Sequence, residues 1–166
     1  MNEGLRIRKA TRADLPALTV MTREFNDQLD GIGGQAPAED AAEIAAAAMG
    51  RLDSFAFGLH PICTVLIAER ASEAVGYLNY FIGVYMDDAT PALHIADFFV
   101  RARHRRRGAG KALMLEARRI AQDLGASRLL WTVWRRNSDA IRFYENLGAE
   151  LEPDDGSVLM QWLIKP

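Results

Sequence analysis

Between Arg105 and Lys111 the chain reads Arg-Arg-Arg-Gly-Ala-Gly-Lys, four cations and two glycines in seven residues. Gly108 and Gly110 let the backbone bend and approach a ligand without a Cβ in the way. The run lies between a strand-like stretch ending at Val100 and a helix-like stretch opening at Gly108. The first N–H groups of such a helix have no partner inside it and sit at its positive end, which suits a phosphate group. Arg105, Arg106, Arg107 and Lys111 would add charge-assisted donors around Gly108, Ala109 and Gly110. Three readings compete: a solvated basic loop, a nucleic-acid patch extended by Arg101 and Arg103, and a pyrophosphate-bearing cofactor. The patch is short, the chain's net charge is -2, and no stacking aromatics interleave the arginines. A dinucleotide fingerprint needs a third glycine where Leu113 stands, and the Gly-Lys-Ser/Thr ending of a Walker loop is missing. Coenzyme A remains as a pyrophosphate carrier that needs neither motif.

Other residues bring different chemistry. Asp97 lies just before Phe98-Phe99-Val100, at the end of the strand-like run. Its carboxylate could take a proton, hold a substrate cation or cap a turn. Tyr144 follows Phe143 in a segment that Asn137 opens as a cap, with Ala140 and Leu147 on the same face. By spacing alone Tyr144 is equally a proton donor or a core aromatic. Trp131 and Trp134 alternate with Thr132 and Val133, suiting an amine channel or sheet packing. Asp87, Asp88, Glu150, Asp154 and Asp155 are further carboxylates that could attract a cation or merely be solvated. His60, His94 and His104 lack second ligands at metal-binding spacing, and no nucleophile elbow anchors a triad. Cys63 stands alone in what reads as the lead-in to a buried strand, which makes it a small hydrophobe before a nucleophile.

These motifs resemble the GNAT superfamily of N-acetyltransferases. Arg105-Arg106-Arg107-Gly108-Ala109-Gly110 fits that family's Q/R-x-x-G-x-G/A signature at all three fixed positions, with Val100 five residues upstream. Asn137 to Ala149 is similar to the family's second motif, and Ile7 to Leu15 to its opening strand and helix. Ala96-Asp97-Phe98-Phe99-Val100 and Trp134-Arg135-Arg136-Asn137 look most similar to the spermidine/spermine (diamine) group, which typically carries Glu where this chain has Ala96.

The resemblance implies acetyl-CoA as cosubstrate and direct transfer of its acetyl group to a primary amine of a small cationic, polyamine-like molecule. Backbone N–H groups around Phe99 and Val100 would hold the thioester oxygen, residues 105–111 the pyrophosphate, and Phe98, Asn137, Ala140 and Phe143 further parts of the cofactor. Tyr144 would protonate the leaving thiolate; reference values near 10 for a phenol and 8.5 for a thiol make that transfer nearly even. Asp97 is the candidate base, and Asp97, Trp131 and Thr132 the candidate amine contacts. Acetylation of a protein N-terminus or lysine, or a non-catalytic acyl-CoA-sensing module, are the alternatives. Family members are often dimers, so a homodimer is expected.

The elements that must position these residues follow from periodicity. Leu5-Arg6-Ile7-Arg8 alternates as a short strand, and Thr11 with Asp14 makes a capping box. The helix it opens carries Leu15, Leu18, Met21/Thr22, Phe25 and Leu29, and Gly31 to Gly34 are expected to break it. An alanine-rich helix over about 38–52 has a weak apolar face and reads as a mobile cover. Strands are expected over 64–69, 75–85, 93–100, 129–134 and 157–164. A helix with Leu113, Ala117, Ile120 and Leu124 on one face should end near Gly125, and the one capped by Asn137 near Gly148. With the resemblance, this is an α+β fold: a GNAT-like mixed, mostly antiparallel sheet of about six or seven strands, flanked by helices on both faces.

Bulk properties agree with one domain over 1–166. Apolar residues make up 49% and charged residues 25%, which excludes disorder and fibrous repeats. Residues 1–96 hold 7 basic and 13 acidic groups, residues 97–166 hold 13 and 9, so the near-neutral total conceals two opposed fields. Glu3, Arg6, Arg8 and Lys9 interrupt the N-terminus, no apolar run reaches membrane-spanning length, and one cysteine allows no internal disulfide. A cytoplasmic enzyme without membrane or nucleic-acid partners is expected.

Overall fold

The computed structural model describes residues 4–34, 41–86 and 88–151. The chain divides into two compact units, Met1–Thr132 and Val133–Pro166. In the first, β1 (Leu5–Lys9), β2 (Thr64–Arg70), β3 (Glu73–Tyr85), β4 (Thr90–Val100) and β5 (Arg128–Leu130) form one sheet in sequence order. All neighbours are antiparallel except β4 and β5, which are parallel. Five strands are thus seen among the described residues, fewer than the six or seven expected; the expected strand at 157–164 lies outside them. The β5 ladder also stops at Leu130, short of Trp134.

Helices cover both faces. α1 (Leu15–Gly33) and α2 (Ala41–Phe57) lie over one, where Leu18, Met21, Val65, Ile67, Tyr77 and Phe99 form a buried cluster. α3 (Ala109–Asp123) packs on β2, β3 and β4 with Leu113, Met114, Ala117 and Ala121 buried. The strand period of two assigns the faces: Tyr77 and Phe99 turn to α1, so Leu78 turns the other way.

Local signals set the helix starts. Thr11 N–H donates to the Asp14 carboxylate at 2.8 Å and the Thr11 side chain faces the Asp14 backbone in return, the two halves of the capping box, while Asp14 N–H also donates to the Thr11 carbonyl at 2.9 Å. α1 ends within the expected Gly31–Gly34 break, whereas α2 runs past its expected end near Leu52. α1 runs through Gly31 and breaks only at Gly34, whose φ is 72° and whose N–H donates to the Asp30 carbonyl. Glycine weakens a helix by entropy but does not obstruct it, so the ladder continues until a left-handed residue stops it. α2 continues to Phe57 because Arg12 reaches its last turn, bonding Asp53 Oδ1 at 2.6 Å and the Phe57 carbonyl at 2.8 Å. Nor is α2 only a cover: Met49, Leu52 and Ala56 pack against the buried cluster at helical spacing. On α3 the buried face turns toward Met114 and Ala121, leaving Leu124 49% exposed. Gly76 is demanded by the β3–β4 contact, since a Cβ there would stand 2.7 Å from the Phe99 carbonyl oxygen.

In the second unit, Asn137 caps α4 (Ser138–Glu145) by accepting the Ala140 N–H at 3.2 Å, and Gly148 turns the chain with φ 85°.

Candidate functional site

β4 carries the site because it parts from its neighbour. β5 pairs with it only over Ala92–His94, so beyond His94 the β5 side of β4 bears no strand among the described residues. On the other side Asn79 pairs with Asp97 and Tyr80 with Ile95, so Ala96 is an extra residue, a bulge that kinks β4 beside Asp97. Arg101 N–H donates to the Val75 carbonyl at 3.0 Å. By alternation Phe99 also faces β3 with its backbone, while Phe98 and Val100 direct theirs to the open edge. The Phe99 ring is buried against Phe25 at 5.7 Å and Tyr77 at 6.2 Å. Of the two expected oxyanion donors the N–H of Val100 therefore has the suitable direction and that of Phe99, turned to β3, does not; the N–H of Phe98 shares the open edge with Val100.

The loop after β4 has the backbone an anion needs. A short 3-10 turn over Ala102–His104 leads to Arg106 with φ 58° and Gly108 with φ 86°, left-handed residues on either side of Arg107. Such alternation turns successive N–H groups into one concavity. The first α3 bond is Ala112 N–H to the Gly108 carbonyl, 2.9 Å, so the N–H groups of Ala109, Gly110 and Lys111 precede the ladder.

The side chains of this stretch divide into two sets. Arg101 is paired with Glu24 and Glu73, and Arg103 with Glu73. Arg105 donates to the Val100 carbonyl at 2.9 Å and to Gln28, with its guanidinium over the Phe99 ring at 5.7 Å. These three are braces that hold β4, the loop and α1 together. Arg106, Arg107 and Lys111 stay exposed and available to an anion. Arg70 adds a fourth cation that no local motif signals, for its guanidinium reaches from β2 to the Arg107 carbonyl at 2.8 Å.

A cavity of about 290 Å³ opens between the helices and the sheet. Thr22, Phe25 and Asn26 of α1, Met49, Arg51 and Phe55 of α2, and Val65, Tyr77, Asn79 and Asp97 of the sheet line it. Asn79 Nδ2 stands 3.5 Å from Asp97 Oδ2, while Asn79 Oδ1 is buried with no hydrogen-bond partner. An orphaned acceptor beside a carboxylate suits an incoming N–H cation. The Tyr77 hydroxyl is pushed up from its ordinary value by burial and by Asp97, so it stays a neutral donor. Burial, and then Asp97, also pushes up the half-buried Cys63 thiol, which disfavours the thiolate a nucleophile needs.

Trp131 and Thr132 do not line this cavity. Asp88 accepts the Thr90 N–H and hydroxyl at 2.9 and 2.6 Å, so it ties the turn before β4. Glu150 is exposed, and Asp87, Asp154 and Asp155 lie outside the described residues. Sequence alone singles out neither Asn79, Tyr77 nor Arg51, because each sits in an ordinary strand or helix pattern.

Within the second unit, Tyr144 and Phe143 of α4 meet edge to face with centroids 5.2 Å apart. Burial pushes the Tyr144 phenol up to about 12. It is thus protonated but a weaker acid than an exposed tyrosine, and proton transfer to a thiolate is less even than the reference values imply. Among the described residues no cluster of His, Cys, Asp and Glu could hold a metal, and no helix is long and apolar enough to cross a membrane.

Residues 24–149 match the model of the acetyltransferase (GNAT) family. The chain belongs to that family. L-ornithine N5-acetyltransferase NATA1 of Arabidopsis thaliana is 36% identical over 76 residues, 46% of this chain and 33% of that protein. Thialysine N-epsilon-acetyltransferase of Caenorhabditis elegans is 32% identical over 81 residues, 49% of this chain and 50% of that protein. The matched stretches thus span a third to a half of these curated relatives. The fold also recurs in solved structures. The integron cassette protein VCH_CASS6 from the mobile metagenome of V. cholerae superposes with a TM-score of 0.78 at 21% identity, covering 96% of this chain and 93% of that one. Ribosomal-protein-alanine N-acetyltransferase from Brucella melitensis gives 0.72 at 16% identity, covering 96% and 100%.

Proposed function

We propose that residues 1–166 act as one acetyl-CoA-dependent N-acetyltransferase domain whose acceptor is a primary amine on a small molecule. The observation that carries this reading is the pair of sites on β4, an open backbone edge leading into an anion loop and a cavity ending at a carboxylate.

The residues present suit acetyl-CoA. Ala109, Gly110 and Lys111 offer N–H groups ahead of the helical ladder, and Arg106, Arg107 and Lys111 offer cations toward the pyrophosphate. When bound, the cosubstrate supplies an acetyl thioester. The Val100 N–H, together with that of Phe98 on the same edge, would stabilise negative charge growing on the acyl oxygen, an effect worth about 3 kcal/mol per donor in other acyl-transfer enzymes. Asp97 would hold the acceptor ammonium and take its proton, directly or through water, with Asn79 Oδ1 accepting a second N–H. Tyr144 would give its proton to the departing sulfur, and Asn137, Ala140 and Phe143 would flank the cofactor.

Both curated relatives are named for acetylating a side-chain amine of a free amino acid. The likeness of residues 96–100 and 134–137 to the diamine group would instead favour a polyamine or diamine acceptor, the second reading, which the comparison of substrates below distinguishes. A cytoplasmic homodimer and an expected sixth strand at 157–164 belong to the same proposal. Thiol release from acetyl-CoA in the presence of diamines, basic amino acids, aminoglycosides and peptides tests the reading. Release with small amines is expected; release with peptides alone, or with none, would overturn it.

A further inference from the structure

Among the described residues that line the proposed acceptor cavity, one is a cation and one an anion. Arg51 enters it from α2 and Asp97 from β4, with Met49, Leu52, Phe25 and Val65 among the apolar groups lining it. Other arginines of this unit are matched: Arg8 with Asp14 and Glu69, Arg12 with Asp53, Arg101 with Glu24. Among the described residues, Arg51 and Asp97 are paired neither with each other nor with another charge. Arg51 is exposed where it lines the cavity, and a guanidinium there with no carboxylate of its own is a ready fork for one.

A diamine would fit this cavity poorly. With one ammonium at Asp97, its second would be driven toward Arg51, and like charges in a partly desolvated space repel. A molecule with an amine at one end and a carboxylate at the other satisfies both walls. The cavity, about 290 Å³, lies at the small end of ligand sites, which also favours a short acceptor.

Resting on the acetyltransferase reading above, we propose that Arg51 binds a carboxylate on the acceptor and makes the enzyme selective for diamino acids over the corresponding diamines. Arg51 is then a specificity residue, and the reacting amine is the one far from the carboxylate, since that end reaches Asp97.

The test compares kcat/KM for ornithine and for putrescine, which differ only by the carboxylate, in the native protein, Arg51→Gln and Arg51→Lys. The native enzyme should favour ornithine, and Arg51→Gln should shrink the ornithine-to-putrescine ratio about tenfold or more, chiefly through KM for ornithine. Arg51→Lys should restore part of the ratio. A native preference for putrescine, or equal losses on both substrates in Arg51→Gln, would overturn the role of Arg51 while leaving amine acetylation intact. Absence of thiol release with every amine would overturn the acetyltransferase reading and this inference with it.

Discussion

Asn79 stands opposite Asp97 across the β3–β4 ladder, its amide nitrogen 3.5 Å from the carboxylate, at the register step where Ala96 bulges out of β4. The bulge and the amide together orient the carboxylate of the acceptor cavity. Asp97→Asn should lower kcat/KM for amines roughly tenfold to hundredfold. Asn79→Ala should act mainly on KM. Stabilisation of either variant by acetyl-CoA should match the native protein, because neither residue lies on the anion loop. A loss of that stabilisation would show that the two sites are not separate.

Gly108 holds φ 86° at the start of α3. An added Cβ in this left-handed conformation costs about 1–2 kcal/mol. Gly108→Ala should lower the thermal midpoint and also shrink the upward shift given by saturating acetyl-CoA, as the N–H groups following residue 108 lose their aim. Equal midpoint losses with and without acetyl-CoA would dissociate the glycine from the anion site.

Arg8 binds both oxygens of Asp14, at 2.7 and 2.8 Å, while Asp14 also completes the capping box. These bonds, the one from Arg8 above all, hold the Asp14 carboxyl at about 2 against an ordinary 3.8. A depressed folded value means the ionised form stabilises the fold. The contribution, roughly 2 kcal/mol, is complete above pH 4 and disappears as pH falls through 2. Arg8→Met should flatten stability between those limits in acid-titrated urea melts.

Tyr144 keeps its proton up to about pH 12. If it is the acid for the departing thiolate, Tyr144→Phe should lower kcat about a hundredfold. The native rate should show no alkaline loss from this group between pH 7 and 10. A falling limb near pH 9 that vanishes in Tyr144→Phe would contradict the burial of the phenol.

The anion loop, the capping box at Thr11 and the Asn137 cap are all legible in the chain, and for one physical reason. Each is decided within about four residues by glycine stereochemistry or by a side chain bonding its own helix start. Asp97 is visible as a charge beside a strand end. Its task is not visible, because that depends on Asn79, eighteen residues away, and on the register shift at Ala96. The same distance hides the partition of the arginines. Read along the chain, residues 101–107 form one basic patch; folded, Glu24, Gln28 and Glu73 take up three of its guanidinium groups and leave Arg106 and Arg107. Local propensity places the end of α1 at the glycines that stop it but misjudges α2, whose last residue, Phe57, is held by Arg12, forty-five residues earlier. Amino-acid types and their short-range spacing thus specify the elements and the class of ligand, since these rest on forces that act over one helical turn. The cavity, the cation Arg51 at its lining and the division of charge into braces and binding groups arise only when distant segments pack, because burial and ion pairing are properties of neighbours in space.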